Sequence, residues 1–191
     1  SGRVPRSANL RLAHSRPERA RVLVGLIVTH LATGMLAPLL ARIVRRWTYL
    51  LLAIPPAVTF GWLVAQAPAV LSGDVLATSY PWIPALGVSI DLRLGLVQWG
   101  LALLVSGIGA LVLAYCHWYF GHAAAARTGG LLSAFAGAML LLATTDDLVI
   151  LYVAWELTTV FSYLLIAHDP RRRANRAAAM TALIVTTTGG L

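Results

Sequence analysis

The sequence has no lysine and a single cysteine, Cys116, so neither a disulfide nor a paired-thiol metal site can form within the chain. Charged residues make up only 12% of the sequence. Soluble domains carry about 25% charged residues, so this balance excludes an ordinary soluble domain. The 15 basic residues, all arginine, do not form a patch interleaved with aromatic residues, which argues against a nucleic-acid partner.

The sequence also lacks the motifs that hold common cofactors. It contains no Rossmann glycine pattern, no cysteine cluster for an iron–sulfur centre, and no constellation of a nucleophile with its base. We therefore expect no cofactor and no metal, and we do not expect this chain to catalyse a chemical reaction.

Long apolar runs dominate the chain, with 59% hydrophobic residues and a mean hydropathy of +0.77. A helix needs about 20 apolar residues to cross a bilayer. Five runs reach about that length and a sixth is incomplete: 22–41, 48–70, 95–120, 129–145, 148–168 and 177–191. We predict an all-α fold, a polytopic transmembrane helix bundle over residues 22–191. Because the sixth run is short, we expect the sequence to be the N-terminal part of a longer polypeptide.

The connectors between these runs differ in charge. Those after the first, third and fifth runs contain eight arginines, namely Arg42, Arg45, Arg46, Arg127, Arg171, Arg172, Arg173 and Arg176. The connectors 71–94 and 146–147 contain only Arg93, together with four aspartates. The positive-inside rule then predicts a multi-pass cell-membrane protein with its arginine-rich loops in the cytoplasm. We predict a short hairpin or an irregular cap on the opposite side, at residues 71–94.

Residues 1–21 do not fit this topology, because alternation of the spans places their six arginines outside the cytoplasm. They could be a cytoplasmic tail that imposes another topology, the basic region of a signal peptide, or non-native sequence upstream of a true start at Met35 or a nearby codon. We favour the third interpretation, since the following apolar run is too long for a signal peptide. Low apolar content and like charges predict that this segment is disordered.

Glu156 is the most informative residue, because it lies near the middle of the uncharged run 148–168. A charged group at mid-membrane costs about 2.5–3.5 kcal/mol on insertion scales, so such residues usually face the bundle and handle ions. Burial favours the neutral carboxyl and a nearby cation favours the carboxylate, so a moving partner can shift a proton. The alternative is a structural hydrogen bond to a neighbouring helix.

Other polar groups inside the spans are weaker candidates for the same relay. On an α-helix Tyr152, Glu156, Thr159 and Tyr163 share a face, so they are predicted to form one polar stripe. His30 lies within the first run, where an imidazole can relay protons or simply bond a carbonyl. Since the chain has no lysine, a lysine partner for Glu156 would have to come from outside this sequence.

The segment from Asp146 to Ala167 carries the core Trp155-Glu156 followed by Ser162-Tyr163-Leu164-Leu165-Ile166. It resembles the fifth-helix signature of the antiporter-like subunits of respiratory complex I and Mrp-type sodium/proton antiporters. The following basic loop and the run AAAMTALIVTTTGG fit the sixth helix. Over about residues 22–191 the chain is most similar to the large, MrpA-type subunit of Mrp antiporters, whose N-terminal half is related to chain 5 of complex I.

The resemblance implies that Glu156 is the essential membrane glutamate, which in the family pairs with a lysine on a later helix. It implies a subunit of a hetero-oligomeric antiporter that exchanges Na⁺ or another monovalent cation for protons within a lipid bilayer. The alternatives are a proton-translocating subunit of an NADH-quinone oxidoreductase and a non-transporting scaffold fragment. The sequence departs from the family before the third helix, where the usual R-L-D-G-L-S is Arg93-Leu94-Gly95-Leu96-Val97-Gln98.

Overall fold

The computed structural model describes residues 6–83, 85, 88–121, 124–168 and 172–190, without the side chains of residues 6–17 and Val88. The described residues form helices joined by one β-hairpin, in the order α1 (Arg6–Val44), α2 (Thr48–Leu71), β1 (Leu76–Ile83), β2 (Val88–Leu94), α3 (Leu96–Tyr119), α4 (Gly130–Thr144), α5 (Leu148–Ile166) and α6 (Arg173–Gly190). A 3₁₀ turn, Arg45–Trp47, joins α1 to α2, and a π-helical turn, Ala125–Gly129, precedes α4.

The helices confirm the prediction of a bundle of membrane-spanning segments. Within the part of the chain that the structure describes, four continuous helical stretches are long and apolar enough to cross a bilayer: Glu18–Leu71, Leu96–Tyr119, Ala125–Thr144 and Leu148–Ile166. The first stretch contains both α1 and α2, so it corresponds to two predicted runs. The outer faces carry exposed apolar side chains such as Met35 and Leu111, as expected where the surrounding solvent is lipid.

The chain reverses direction between α1 and α2 at Arg45, which has a φ of 46°. A left-handed conformation is rare for a residue with a Cβ, and here a single one lets α2 fold back along α1. One buried cluster joins Leu23 and Ile27 of α1 to Leu63 of α2. A second joins Ala37 to Leu52, so the two helices are antiparallel.

The N-terminal helix begins upstream of the apolar run. Helix α1 starts at Arg6, so it takes in most of the segment that the composition predicts to be disordered. Residues 1–5 lie outside the described residues, as does Arg171 among the arginines of the loops. The domain boundary near residue 21 and the assignment of the upstream segment stay predictions.

Helix α4 is the central element of the bundle, because it packs against α1, α3 and α5. Of the most apolar 18-residue stretch in this span, 50% is buried inside the bundle, against 17–28% in the other three spans. Small residues make this possible, and the buried positions of the helix include Gly130, Ser133, Ala134, Ala136, Gly137 and Ala138. Small side chains let helix backbones approach closely in a membrane, where packing drives association.

The predicted hairpin at 71–94 forms and covers one end of the bundle. Strands β1 and β2 pair antiparallel from Leu76 with Leu94 to Ile83 with Val88. Leu76, Leu92 and Leu94 are buried in the same apolar cluster as residues of α1, α2, α3 and α4. This packing fixes the hairpin to the helices, so it is a structured cap.

Helices α1 and α4 cross with almost no space between them, and this contact yields a first prediction. A Cβ added at Gly34 would lie 2.8 Å from both the Cβ of Ala134 and the carbonyl oxygen of Gly130. Gly34→Ala should therefore lower the free energy of unfolding by about 1–3 kcal/mol, because backbone must move. The measurement is thermal or denaturant unfolding of the protein in detergent micelles.

Gly25→Ala on the same helix is the matched control, since a Cβ there meets nothing within 4 Å. Alanine is the better helix former, so stability should stay the same or rise by up to about 1 kcal/mol. Equal losses in the two variants would show that the crossing is not as tight as described.

Candidate functional site

Glu156 lies near the middle of α5, as the sequence predicts. The side chain is half-buried. Its Oε1 atom is buried and has no hydrogen-bond partner among the described residues. A buried oxygen without a partner is costly and rare in folded proteins, so this atom marks the place where a partner belongs.

The surroundings of Glu156 are set by the contact between α5 and α6. The indole Nε1 of Trp155 donates a hydrogen bond to the carbonyl oxygen of Thr186 on α6, at 3.4 Å. A Cβ added at Gly190 would collide with the same indole, so α6 fits closely over Trp155. The hydroxyl of Thr158 donates to the carbonyl oxygen of Trp155 at 2.7 Å, within the same turn of helix. The residue next to Glu156 is thus held firmly.

The predicted polar stripe is divided between different environments. Thr159 is buried, Glu156 and Tyr163 are half-buried, and Tyr152 is 42% exposed. The four residues share a face by helical periodicity, but that face is exposed at Tyr152 and most buried at Thr159. The roles of Tyr152, Thr159 and Tyr163 in a relay stay predictions, with Thr159 and Tyr163 nearer the protein interior.

His30 is fully buried on α1, and its environment is formed by α1 itself and by α4. Its Nδ1 lies 2.7 Å from the carbonyl oxygen of Leu26 one turn earlier. The hydroxyl of Ser133 on α4 donates to the carbonyl oxygen of His30 at 3.1 Å. The Nε2 atom is buried without a partner among the described residues. Helix α4 packs against both α1 and α5, and among the described residues no hydrogen bond links His30 to Glu156.

The hairpin contacts the segment that begins the glutamate-bearing helix, which sequence reasoning missed. Leu92 forms an isolated antiparallel bridge with Thr145, and the backbone N–H of Asp146 donates to the carbonyl oxygen of Asp91 at 2.8 Å. Arg93 pairs with Asp146 at 3.8 Å. The carboxylate of Asp147 then accepts from the N–H of Ile150 and caps α5.

A signal for this contact exists in the sequence, because both connectors are rich in aspartate and lie on the same predicted side. The Asx cap at Asp147 is also visible as an acidic residue before an apolar run. Pairing between the two connectors depends on the hairpin register, which charge alone does not specify. The result is a fixed start for α5, and hence a fixed height of Glu156 in the membrane.

The chain is similar to known antiporter subunits, although no protein-family model matches it. It is 32% identical over 169 residues, 86% of its length, to the A1 subunit of the Na(+)/H(+) antiporter of Staphylococcus aureus strains JH9 and Newman. The chain is homologous to this A1 subunit. It spans 21% of the length of these relatives.

Solved structures agree with this homology. The Mrp complex from Dietzia sp. DQ12-45-1b contains a chain with a TM-score of 0.75 and 34% identity, covering 89% of this chain and 18% of that one. The archaeal membrane-bound sulfane sulfur reductase gives a TM-score of 0.65 at 17% identity, over 84% of this chain and 25% of that one. The second likeness shows the fold alone. Both are multi-subunit membrane complexes, as the sequence resemblance implies.

The hairpin contains one carboxyl group whose titration tests the local geometry. The hydroxyl groups of Ser79 and Ser89 lower the pKa of Asp91 below its usual value, and the Ser89 hydroxyl donates to Oδ2 of Asp91 at 2.8 Å. A lowered pKa stabilises the folded hairpin at neutral pH, and this contribution disappears as the pH falls through the pKa of Asp91. Ser89→Ala should raise that pKa, because it removes the 2.8 Å hydrogen bond to the carboxylate.

The pKa can be followed by NMR of carboxyl-labelled aspartate in micelles over a pH titration. Ser72→Ala is the control, since the Ser72 hydroxyl donates to the carbonyl oxygen of Ala69 and leaves the pKa of Asp91 unchanged. An Asp91 pKa that does not rise at all in Ser89→Ala would contradict the described hydrogen bond.

Proposed function

We propose that this chain forms the N-terminal part of a membrane subunit that exchanges a monovalent cation, Na⁺ in the first instance, for protons. The homology to the A1 antiporter subunit favours a transporter component over a catalytic enzyme. We take the transported ions from the name of these relatives, Na(+)/H(+) antiporter. We expect other membrane subunits as partners because the similar solved structure is the Mrp complex. The lipid bilayer is the environment that the apolar helix faces require.

The observation that carries the proposal is the buried, unpartnered Oε1 of Glu156 at mid-span, seen among the described residues. A carboxyl group in this position can hold a proton or, when a cation approaches, exist as the carboxylate. A purely structural hydrogen bond would give Oε1 a donor, and none of the described residues supplies one to this atom. Glu156 therefore acts in the proposal as a proton carrier whose counter-charge approaches from outside this segment.

Among the remaining candidates, Thr159 and Tyr163 are best placed to take part in the proposed proton relay. They are on the same helix at one and two turns from Glu156, and neither is exposed. Their hydroxyl groups can donate and accept in turn, as a proton path requires. Tyr152 and His30 are more remote candidates, since the Tyr152 side chain is exposed and the His30 Cβ lies against Gly137 of α4.

The sidedness of transport follows from the loops. The arginine-rich connectors after α1, α3 and α5 are proposed to lie in the cytoplasm, with the hairpin and the α4–α5 connector on the other face. Protons from the cytoplasm then reach Glu156 from the end of α5 that carries Ala167, and cations on the other face meet the hairpin first.

Glu156→Gln in the full protein, assembled with its partner subunits, tests the proposal. Glutamine keeps the size of the side chain but cannot lose a proton at neutral pH, so exchange should fall to background. Antiport is measured as dye dequenching on addition of Na⁺, K⁺ or Li⁺ to inverted membrane vesicles. Assembly is checked in parallel by the recovery of the other subunits with the tagged variant.

Glu18→Gln is the matched control, because Glu18 is exposed near the start of α1 and is the only other glutamate of the sequence. Exchange should be unchanged in that variant. Glu156→Asp should keep part of the activity, since it keeps the carboxyl at a shorter reach. Full exchange by an assembled Glu156→Gln complex would overturn the role of Glu156.

A further inference from the structure

An apolar groove of about 620 Å³ lies between α1, α4 and α5. Leucine, alanine, glycine, methionine, proline and phenylalanine line it, and Arg127 is the one charged residue among the described lining residues. Met35 at its edge is 80% exposed, so the groove opens to the surroundings of the bundle. The groove is thus a surface feature, distinct from the position of Glu156.

The groove is ordered from a charged end to an apolar end. Its α1 wall runs from Leu31 to Pro38 and its α5 wall from Leu157 to Leu164. Each wall rises over about seven residues, which is about 10 Å of helix. Arg127 lies just before α4, whose first residue, Gly130, contacts Gly34 and Ala37 of α1. Arg127 is therefore close to the part of α1 that leads to the C-terminal end of that helix. The opposite end reaches toward the middle of the span.

Arg127 is oriented by a contact with the end of α5. Its Nη2 donates to the carbonyl oxygen of Ala167 at 3.4 Å, one residue after α5 ends. This bond uses one N–H of a guanidinium group that carries five, and the side chain is exposed. The remaining donors can bind an anion, and a planar guanidinium matches phosphate oxygens especially well.

We propose that this groove binds an anionic glycerophospholipid, with the phosphate on Arg127 and an acyl chain between α1, α4 and α5. The charge at one end complements the headgroup, and the apolar walls complement the chain. Basic pockets between membrane helices on the cytoplasmic side bind anionic lipids in this manner. The bound lipid joins α1 to α5, which do not otherwise pack extensively on each other.

The depth of the groove favours a lipid over a further helix. A crossing helix would need a groove along the full hydrocarbon thickness of about 30 Å. A depth of about 10 Å is less than one leaflet, about 15 Å, and ends inside the membrane as an acyl chain does. A wholly apolar helix would also provide no group to pair with the charge of Arg127 at one end of the groove.

Native mass spectrometry of the delipidated, assembled protein tests the proposal. Phosphatidylglycerol added back should give a discrete adduct that phosphatidylcholine forms much more weakly, and excess inorganic phosphate should not displace it. Arg127→Gln should weaken phosphatidylglycerol binding by about tenfold, because a charge-assisted hydrogen bond is lost. Arg127→Lys should retain part of the affinity, since it retains the charge.

Arg173→Gln is the matched control, because Arg173 is exposed at the start of α6 on the same side and does not line the groove. It removes the same charge and should leave the adduct intact. A photo-crosslinker placed at Leu131 should give a phosphatidylglycerol product. Equal binding by Arg127→Gln, equal loss in Arg173→Gln, or a crosslink to protein instead of lipid would each overturn the proposal.

Discussion

The crossing of α1 over α4 at Gly34 and Gly130 is the contact on which the rest of the structure depends. Backbone atoms of the two helices approach closely there, beside the Cβ atoms of Ala37 and Ala134. In lipid, where apolar surface gains little by leaving the surroundings, such close packing is what holds helices together. The crossing buries His30 against α4. The groove beside Arg127 lies next to this crossing, since Gly34 and Gly130 are among its lining residues.

The sequence predicted the helices well because the membrane imposes their length and composition. A hydrocarbon layer accepts only segments that satisfy their own backbone hydrogen bonds, so each run of about 20 apolar residues has one solution. Glu156 was identifiable for the same reason, since a charge in such a run stands out. The reversal at Arg45 was not predictable, because a left-handed backbone conformation is usually predicted at a glycine and this position is an arginine. The start of α1 at Arg6 likewise has no apolar signal.

Contacts between segments that are far apart in the chain could not be predicted from the sequence. The stripe from Tyr152 to Tyr163 obeys helical spacing, yet its residues differ in burial because neighbouring helices cover only part of α5. Spacing gives the face, and packing decides what that face meets. Hydrogen bonds from Ser133 to the His30 carbonyl, and from the α4–α5 connector to the hairpin, link residues far apart in the chain. They follow from the hairpin register and from the glycine crossing.

The position of Glu156 is fixed from both ends of α5, and this bears on how a relay can work. The hairpin and the Asp147 cap hold the start of the helix, Trp155 bonds α6, and Arg127 bonds the carbonyl after its end. In the proposed relay a carboxyl group held in this way stays in place, and the proton and the counter-charge move. A fixed acid met by a mobile cation is the arrangement in which a small displacement changes protonation without moving a helix.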